Sequence, residues 1–150
     1  MRVAFGTDEA TPVTDLVKGL LSEAGHEVVV VAPEGDPWPD VGRAVGQAVA
    51  SGAAERGVVC CWTGTGVAMA ATKVPGVRAA LCGDAETARG ARRWNDANVL
   101  ALGLRLTSGV VAGEVLDAFL RTEPDPDEAE AIARVELSSP RSGTDPDGPR

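Results

Sequence analysis

The sequence predicts an α/β fold, a doubly wound (Rossmann-like) three-layer sandwich with a five-stranded parallel sheet. Five short apolar runs recur along the chain, each separated from the next by a stretch with helical spacing of apolar residues. Hydrophobic residues make up 44% of the chain and aromatic residues only 3%, which is typical of a parallel sheet covered by helices on both faces. We expect residues 1–136 to form one domain and residues 137–150, rich in Ser, Pro, Gly and Asp, to form a disordered tail.

The predicted elements alternate along the chain. Thr11 and Pro12 cap and open the first helix, whose apolar residues recur every three or four positions until Gly25 ends it. After a loop over residues 33–40, a second helix runs from Val41 to just before Gly52. The predicted strands cover residues 3–5, 28–32, 58–61, 77–82 and 99–102. The remaining helices are predicted to begin near Gly66, near Asp84, near Thr107 or Ser108, and after the acidic segment 123–130, the last one reaching Val135.

Charge and cysteine content exclude several classes of function. A formal net charge of -8 opposes nucleic acid binding, which needs a basic face. The three cysteines form no C-x-x-C pair, and the single histidine, His26, precedes the second strand, so we expect no disulfide framework, no metal site and no cofactor. No apolar run reaches membrane-spanning length and no basic segment opens the chain, so we expect a cytoplasmic protein without membrane contact.

Candidate site residues follow from where such sheets bind ligands, beyond the carboxyl ends of the strands at the point where strand order reverses. Asp8 and Glu9 follow the first strand, residues 61–66 the third, residues 82–84 the fourth and Gly103 the fifth. Asp8 and Glu9 are candidates for orienting a polyol or for proton transfer. A turn-forming or helix-capping carboxylate is the alternative for each.

The segment Cys60-Cys61-Trp62-Thr63-Gly64-Thr65-Gly66 carries the strongest chemical signal. A strand here enters a helix through a glycine-containing loop, where free backbone N–H groups and the helix dipole can hold an anion such as an oxyanion. Strand alternation places Cys61 at the strand's mouth, where the helix end favours a thiolate, and turns Cys60 toward a helix layer. The alternative is that both are small buried hydrophobic residues. The loop lacks the lysine of phosphate-binding loops and the third glycine of dinucleotide-binding loops.

Two further groups of residues allow more than one interpretation. Trp62 and Trp94 flank turns, so they either form an aromatic wall for a sugar or serve packing or an interface. Arg89, Arg92 and Arg93 form a basic cluster on the helix before the fifth strand, which we interpret as a solvated face.

Three segments carry a family resemblance: residues 61–66 (CWTGTG), 70–79 (AATKVPGVRA) and 95–103 (NDANVLALG). The first is similar to a Cys-Gly-Thr-Gly-x-Gly loop. Over residues 1–136 the chain resembles the type B ribose-5-phosphate isomerases and the LacA and LacB subunits of galactose-6-phosphate isomerase, which are enzymes of carbohydrate metabolism.

The resemblance implies a metal-independent aldose–ketose isomerase that moves a proton between adjacent carbons through a cis-enediolate. It implies that Cys61 is the base, that Thr63 is the loop threonine of the catalytic group, and that the backbone amides of residues 64–66 stabilise the enediolate oxygen. It further implies that Asp8 binds substrate and that Asn95 is donated across the interface of a homodimer with shared active sites.

The departures from the family pattern concern the substrate. Glu9 and Trp94 stand where the family has histidines, the second of which is thought to open the sugar ring. Of two arginines around the phosphate only Arg134 is matched, and Glu130 stands in place of the other. Carboxylates there would repel a phosphate, so the substrate is expected to be a sugar with or without a phosphate group. We expect Glu9, Trp94, Asn95 and Arg134 to contact this sugar.

The lost histidines leave two other interpretations open. One is a non-catalytic sugar- or nucleotide-binding protein on the same scaffold. The other is an ordinary ribose-5-phosphate isomerase in which Arg89, Arg92 and Arg93 replace the missing groups.

Overall fold

A parallel sheet of five strands forms the centre of the structure, a computed structural model that describes residues 1–137. Leu137, predicted as the first residue of the tail, is instead the last residue of a helix, and the rest of the predicted tail, residues 138–150, lies outside the described residues. The strands are β1 (Arg2–Thr7), β2 (Glu27–Val30), β3 (Arg56–Cys61), β4 (Ala79–Leu81) and β5 (Val99–Gly103). Their order across the sheet is β2-β1-β3-β5-β4, and every neighbouring pair is parallel. The predicted α/β fold class is therefore confirmed.

Two strands are shorter than their apolar runs: β2 ends at Val30, two residues before its predicted end, and β4 is only three residues long. The prediction for β4 covered residues 77–82, but the N–H of Val77 closes a turn onto the carbonyl oxygen of Val74 at 3.1 Å. Gly76 sits in that turn with a φ of 83°, which places it in the left-handed region. The chain therefore enters the sheet only at Ala79.

The helices are α1 (Pro12–Glu23), α2 (Trp38–Ala50), α3 (Thr65–Thr72), α4 (Ala85–Asn95), α5 (Gly109–Arg121), a 3₁₀ helix (Pro126–Glu128) and α6 (Ala129–Leu137). The predicted N-cap of α1 is confirmed, since the Thr14 N–H donates to the Thr11 hydroxyl at 3.2 Å. The predicted start of α2 at Val41 is wrong, because the helix begins at Trp38. Pro39 fits the first turn, where an N–H is not needed, and the N–H of Val41 already bonds to the carbonyl oxygen of Pro37 at 3.1 Å.

Alternate residues of the central strands fill two separate cores, which makes the three layers. Val58 and Cys60 of β3 lie in the core covered by α1, α4 and α5. Val59 and Cys61 lie in the core covered by α2 and α3. The predicted orientation of Cys60 toward a helix layer is thus confirmed, and Cys61 faces the opposite layer.

The interpretation of the basic cluster as a solvated face is wrong for Arg92. Arg89 and Arg93 are exposed, but the side chain of Arg92 is fully buried beneath the end of α4. The buried guanidinium is paired with Asp96, as described below. Within residues 1–137, no helix is long and apolar enough to cross a bilayer.

The close packing of α2 on α3 yields a test of the fold. A Cβ on Gly42 would lie 2.6 Å from the Cβ of Ala70, whereas a Cβ on Gly19 of α1 would meet nothing within 4 Å. Gly42→Ala should lower the free energy of unfolding by about 1–3 kcal/mol, because the two helices must move apart. Gly19→Ala should raise it by about 0.5–1 kcal/mol, because alanine favours a helix over glycine. Urea denaturation measures both, and changes of the same sign would contradict the packing.

Candidate active site

The crevice predicted by the strand-order rule lies between β1 and β3. The chain adds β2 on one side of β1 and β3 on the other, so strand order reverses there. The carboxyl ends of the two strands are joined by a hydrogen bond from the Asp8 N–H to the Cys60 carbonyl oxygen at 3.4 Å. Asp8 and the loop after β3 are therefore neighbours, as the sequence predicts.

The loop after β3 is folded back onto the sulfur of Cys61. Gly64 has a φ of 75°, and its N–H donates to Cys61 Sγ at 3.2 Å. A Cβ on Gly64 would lie 2.8 Å from the backbone nitrogen of Gly103, so the loop touches β5 with no room for a side chain. Gly64 is also the N-cap of α3 and offers no side-chain hydrogen bond. The N–H groups of the first turn, at Thr65 and Gly66, thus have no side-chain cap, and they make the loop a place for negative charge.

The three cysteines differ in their surroundings. Burial raises the pKa of the Cys60 thiol to about 12, and burial, with the charge of Asp84, raises that of Cys82 to about 11. Both therefore stay protonated near neutral pH. Cys61 lies at the crevice, but only 5% of it is exposed, because the loop covers its sulfur. In the isolated chain the Cys61 thiol is therefore buried, although the residue lies at the mouth of the strand as predicted.

Two threonine hydroxyls lie on top of the loop. The Oγ1 atoms of Thr63 and Thr65 are 2.7 Å apart, and both side chains are exposed. Either hydroxyl can donate to the other, so the pair can pass a proton to a ligand held over the loop. Among residues 1–137 no group of three His, Cys, Asp or Glu side chains is placed to hold a metal ion.

Asp8 has the features of a ligand-binding carboxylate. Its Oδ1 atom is buried and has no hydrogen-bond partner among the described residues. Burial, and next the negative charge of Glu9, raise the pKa of Asp8 above its ordinary value of 3.8. Thr7 fixes the turn between them, since its hydroxyl donates to the Glu9 carbonyl oxygen at 2.7 Å. The unpaired oxygen can accept a hydrogen bond from a sugar hydroxyl.

Two residues beside this loop were missed by the sequence analysis. The ring of Trp38 covers Gly66, where an added Cβ would lie 2.9 Å from the indole. Arg105 follows β5, and its N–H bonds to the Trp62 carbonyl oxygen at 2.9 Å. Arg105 could have been predicted as a site residue from its position just after a strand end. Trp38 could not, because it lies in the segment 33–40, which the sequence pattern predicts to be a loop. A shallow hollow of about 100 Å³ is lined by Trp62, Thr63, Gly103, Arg105 and Leu106.

The other predicted binding residues lie at the opposite edge of the sheet. Asn95 ends α4, and three residues later the carbonyl oxygen of Asn98 accepts a hydrogen bond from Gly57 at the start of β3. Cys61 lies four residues further along β3, which at the rise of a strand is about 13 Å. Within one chain, Asn95 and Cys61 therefore lie toward opposite ends of the strands.

Trp94 and Arg134 belong to this second edge. The Trp94 ring lies against Gly90 of α4 and is half exposed. Arg134 is on α6, which is tied to the same edge by an ion pair between Glu136 and Arg78. The side chain of Arg134 is 3.7 Å from that of Glu130. The predicted residues thus form two groups, one around Cys61 and one around Asn95.

The chain is similar in sequence and in fold to known proteins. A family model described as Ribose/Galactose Isomerase matches residues 3–137. The chain belongs to this family. This isomerase is 35% identical over 130 residues to galactose-6-phosphate isomerase subunit LacB of Clostridium acetobutylicum, covering 84% of this chain and 75% of that protein. It is 35% identical over 124 residues to ribose-5-phosphate isomerase B of Escherichia coli, covering 79% of this chain and 83% of that protein.

The fold comparison agrees with the sequence comparison. The solved structure of Clostridium thermocellum ribose-5-phosphate isomerase B superposes with a TM-score of 0.86 at 34% identity, covering 91% of this chain and 96% of that chain. The predicted resemblance is therefore confirmed. This protein is a member of the sugar phosphate isomerase family.

The raised pKa of Asp8 yields a pH-dependent prediction. The folded chain holds the Asp8 proton more tightly than the unfolded chain, so the free energy of unfolding falls as pH rises from 3.8 through the folded pKa. Asp8→Asn should therefore melt at a higher temperature than wild type at about pH 7, and the difference should vanish near about pH 3.

Asp84→Asn is the matched control with the opposite sign. Hydrogen bonds from the N–H and hydroxyl of Thr87 lower the pKa of Asp84, so its charge stabilises the fold at neutral pH. That variant should melt at a lower temperature. A lower melting temperature for Asp8→Asn at neutral pH would contradict the assignment of a desolvated, unpaired carboxylate.

Proposed function

We propose that the protein interconverts an aldose and a ketose, with Cys61 as the base. The observation that carries this is the position of its sulfur at the β1–β3 crevice, under the Gly64 N–H at 3.2 Å. That N–H and the uncapped start of α3 favour negative charge on the sulfur and on an oxygen held beside it. The resemblance to the family also implies that Cys61 is the base.

The proposed reaction balances without a cofactor. The Cys61 thiolate takes the proton from C2 of the aldose, and the electron pair of that bond moves to form the C1–C2 double bond while charge develops on O1. Backbone N–H groups of residues 64–66 stabilise this oxygen. The paired hydroxyls of Thr63 and Thr65 carry the proton from O2 to O1, and the Cys61 thiol then protonates C1 to give the ketose.

We propose that the active site is completed by a second copy of the chain. Asn95 and Cys61 are at opposite edges of the sheet, so both can contact one substrate only when two chains pair. The half-site around Asn95 would bring Trp94 and Arg134 to the crevice of the partner. A covering chain would also close the shallow hollow of about 100 Å³ beside the loop.

Charge at the two half-sites favours a neutral sugar over a phosphate ester. Asp8 and Glu9 stand on one side of the crevice, and Glu130 lies 3.7 Å from Arg134, the matched phosphate arginine. Arg105 is the opposing cation beside the loop. Each uncompensated carboxylate near a phosphate would cost about 1 kcal/mol or more, and about 1.4 kcal/mol corresponds to tenfold in rate or affinity. The names of the relatives specify galactose 6-phosphate and ribose 5-phosphate, so this preference would set the protein apart.

A non-catalytic sugar-binding protein is the second candidate. The observation that favours it is the burial of Cys61, together with Trp94 in place of a histidine that could shuttle a proton. Such a protein would bind sugars at Asp8 without exchanging carbon-bound protons.

Solvent deuterium exchange at C2, followed by NMR, distinguishes these functions. D-ribose, its 5-phosphate and unphosphorylated hexoses should be compared in wild type, Cys61→Ala and the control Cys82→Ala. We expect exchange of an unphosphorylated sugar to be faster than that of ribose 5-phosphate, and Cys61→Ala to lower it by about 10²–10⁴-fold, the usual contribution of a positioned base. Cys82→Ala, at the end of another strand, should keep the activity.

The outcomes test separate parts of the proposal. Rapid exchange of ribose 5-phosphate alone would contradict the preference for a neutral sugar. Exchange undiminished by Cys61→Ala would contradict the role of the thiol. Binding of sugars without any exchange in wild type would favour the non-catalytic candidate.

A further inference from the structure

A buried arginine lies directly beneath the half-site around Asn95. The Arg92 side chain is 0% exposed, and its guanidinium is 5.7 Å from the centroid of the Phe119 ring. Its Nη1 donates to Asp96 Oδ1 at 2.7 Å and to the Ala97 carbonyl oxygen at 2.6 Å, and its Nε donates to the Thr122 carbonyl oxygen at 3.1 Å. Its Nη2 has no partner among the described residues. One buried cation therefore connects the end of α4 with the end of α5.

The carboxylate that faces Arg92 sits on an unusual backbone. Among residues 1–137, Asp96 is the non-glycine residue with a positive φ, 44°, and it follows Asn95 directly. A second arginine holds it from the other side, since Arg78 Nη2 donates to Asp96 Oδ2 at 3.1 Å and Arg78 Nε to its carbonyl oxygen at 2.9 Å. Arg78 also pairs with Glu136 of α6. The three residues Arg92, Asp96 and Arg78 form what we call the arginine clamp.

Stability alone does not account for this arrangement. Removing a guanidinium from water opposes folding. Apolar residues of similar volume often stabilise a core as well as a buried ion pair does, or better. The left-handed backbone at Asp96 also opposes folding, although aspartate tolerates it better than most residues. Both features lie close to Asn95 in the sequence, the left-handed backbone one residue after it and the buried arginine three residues before it. Strain and buried charge that coincide in this way are found where a neighbouring group must be held in one orientation.

The clamp and the hydrogen bonds beside it connect the segments of the half-site, which are the end of α4, the 3₁₀ helix and α6. Asp96 caps α4, whose last residue is Asn95, through its N–H to the Arg92 carbonyl oxygen at 3.0 Å. The Asp125 N–H bonds to the Arg93 carbonyl oxygen at 2.8 Å, so the 3₁₀ helix is attached at the same place. Glu136 attaches α6, which carries Arg134. Loosening the clamp would therefore free Asn95 and α6 together.

We infer that Arg92 and Asp96 are positioning residues for the isomerisation, acting through Asn95 on the substrate in the partner's crevice. This inference rests on the proposed function, because it assigns the clamp to Asn95 as a substrate-contacting residue. It goes beyond that function by giving a role to a buried ion pair that touches no substrate.

The test removes both charges together, so that no unpaired charge remains in the core. The variant is Arg92→Met with Asp96→Asn, and asparagine keeps the tolerance for positive φ. Its matched control is Arg121→Met with Asp117→Asn, an exposed pair that is also four residues apart in a helix. The readouts are melting temperature and the kinetics of C2 deuterium exchange in D-ribose and D-ribose 5-phosphate, in chains with Asn95 and with Asn95→Ala.

We expect the clamp variant to melt close to wild type while kcat falls about tenfold, with a smaller change in KM, since misplacement of a positioning group acts mainly on the transition state. In the Asn95→Ala background the same change should cause no further fall, because the clamp acts only through Asn95. The control pair should leave the kinetics unchanged. Arg78→Gln leaves Arg92 paired with Asp96, so this variant should fold and should lower kcat by a smaller factor. It provides the test of the positioning role if the double variant fails to fold.

Different experimental results would contradict the inference and the proposed function. An unchanged kcat in the folded clamp variants, or an equal fall with and without Asn95, would overturn the positioning role alone. No effect of Asn95→Ala would overturn the proposed completion of the site by Asn95, and with it the inference, whereas no exchange of any of the ribose or hexose substrates in wild type would overturn the proposed function as a whole.

Discussion

The candidate site depends on a contact between two backbones that leaves no space for a side chain on either. A Cβ on Gly64 would lie 2.8 Å from the nitrogen of Gly103, and a Cβ on Gly103 would lie 2.7 Å from the carbonyl oxygen of Thr63. This contact, with the positive φ of Gly64, turns the chain sharply after β3, directs an N–H at Cys61 and begins α3 beside it. A side chain at either glycine would lift the loop away from the sulfur, and with it the N–H groups that stabilise negative charge.

The parallel sheet sets a second constraint, which does not depend on the loop. Every strand runs in the same direction, so residues after strands and residues after helices lie at opposite edges. Cys61 and Asp8 occupy one edge, and Asn95 occupies the other, held by Asp96 between two arginines. The two edges are organised differently, because the first uses free N–H groups and an unpaired carboxylate while the second uses buried charge. In the function we propose, a catalytic centre formed from both edges takes one edge from each of two chains.

Periodicity was sufficient to predict the fold class, the capping of α1 and the opposite orientations of Cys60 and Cys61, because these follow from local spacing. The loop and the carboxylates after β1 were predicted because strand ends in such sheets meet at one edge. The burial of Arg92 could not be predicted in this way, since its pairing depends on the left-handed turn at Asp96 and on a contact with the end of α5. The position of Trp38 was missed because a segment between two prolines resembles a loop, while its ring packs on a glycine distant in sequence.

The central claim is that Cys61 of one chain works with Asn95 of another, and purified heterodimers test it most directly. Chains carrying Cys61→Ala and chains carrying Asn95→Ala should be co-expressed with different tags and isolated through both. Each homodimer should be impaired at both sites, whereas the heterodimer has one intact site of two and should show about half of the wild-type exchange rate. A heterodimer of Cys61→Ala with the Cys61→Ala/Asn95→Ala chain has no intact site and is the control. Recovery to about half the wild-type rate in the first heterodimer alone is the result we predict, and a heterodimer no more active than the impaired homodimers would contradict the account.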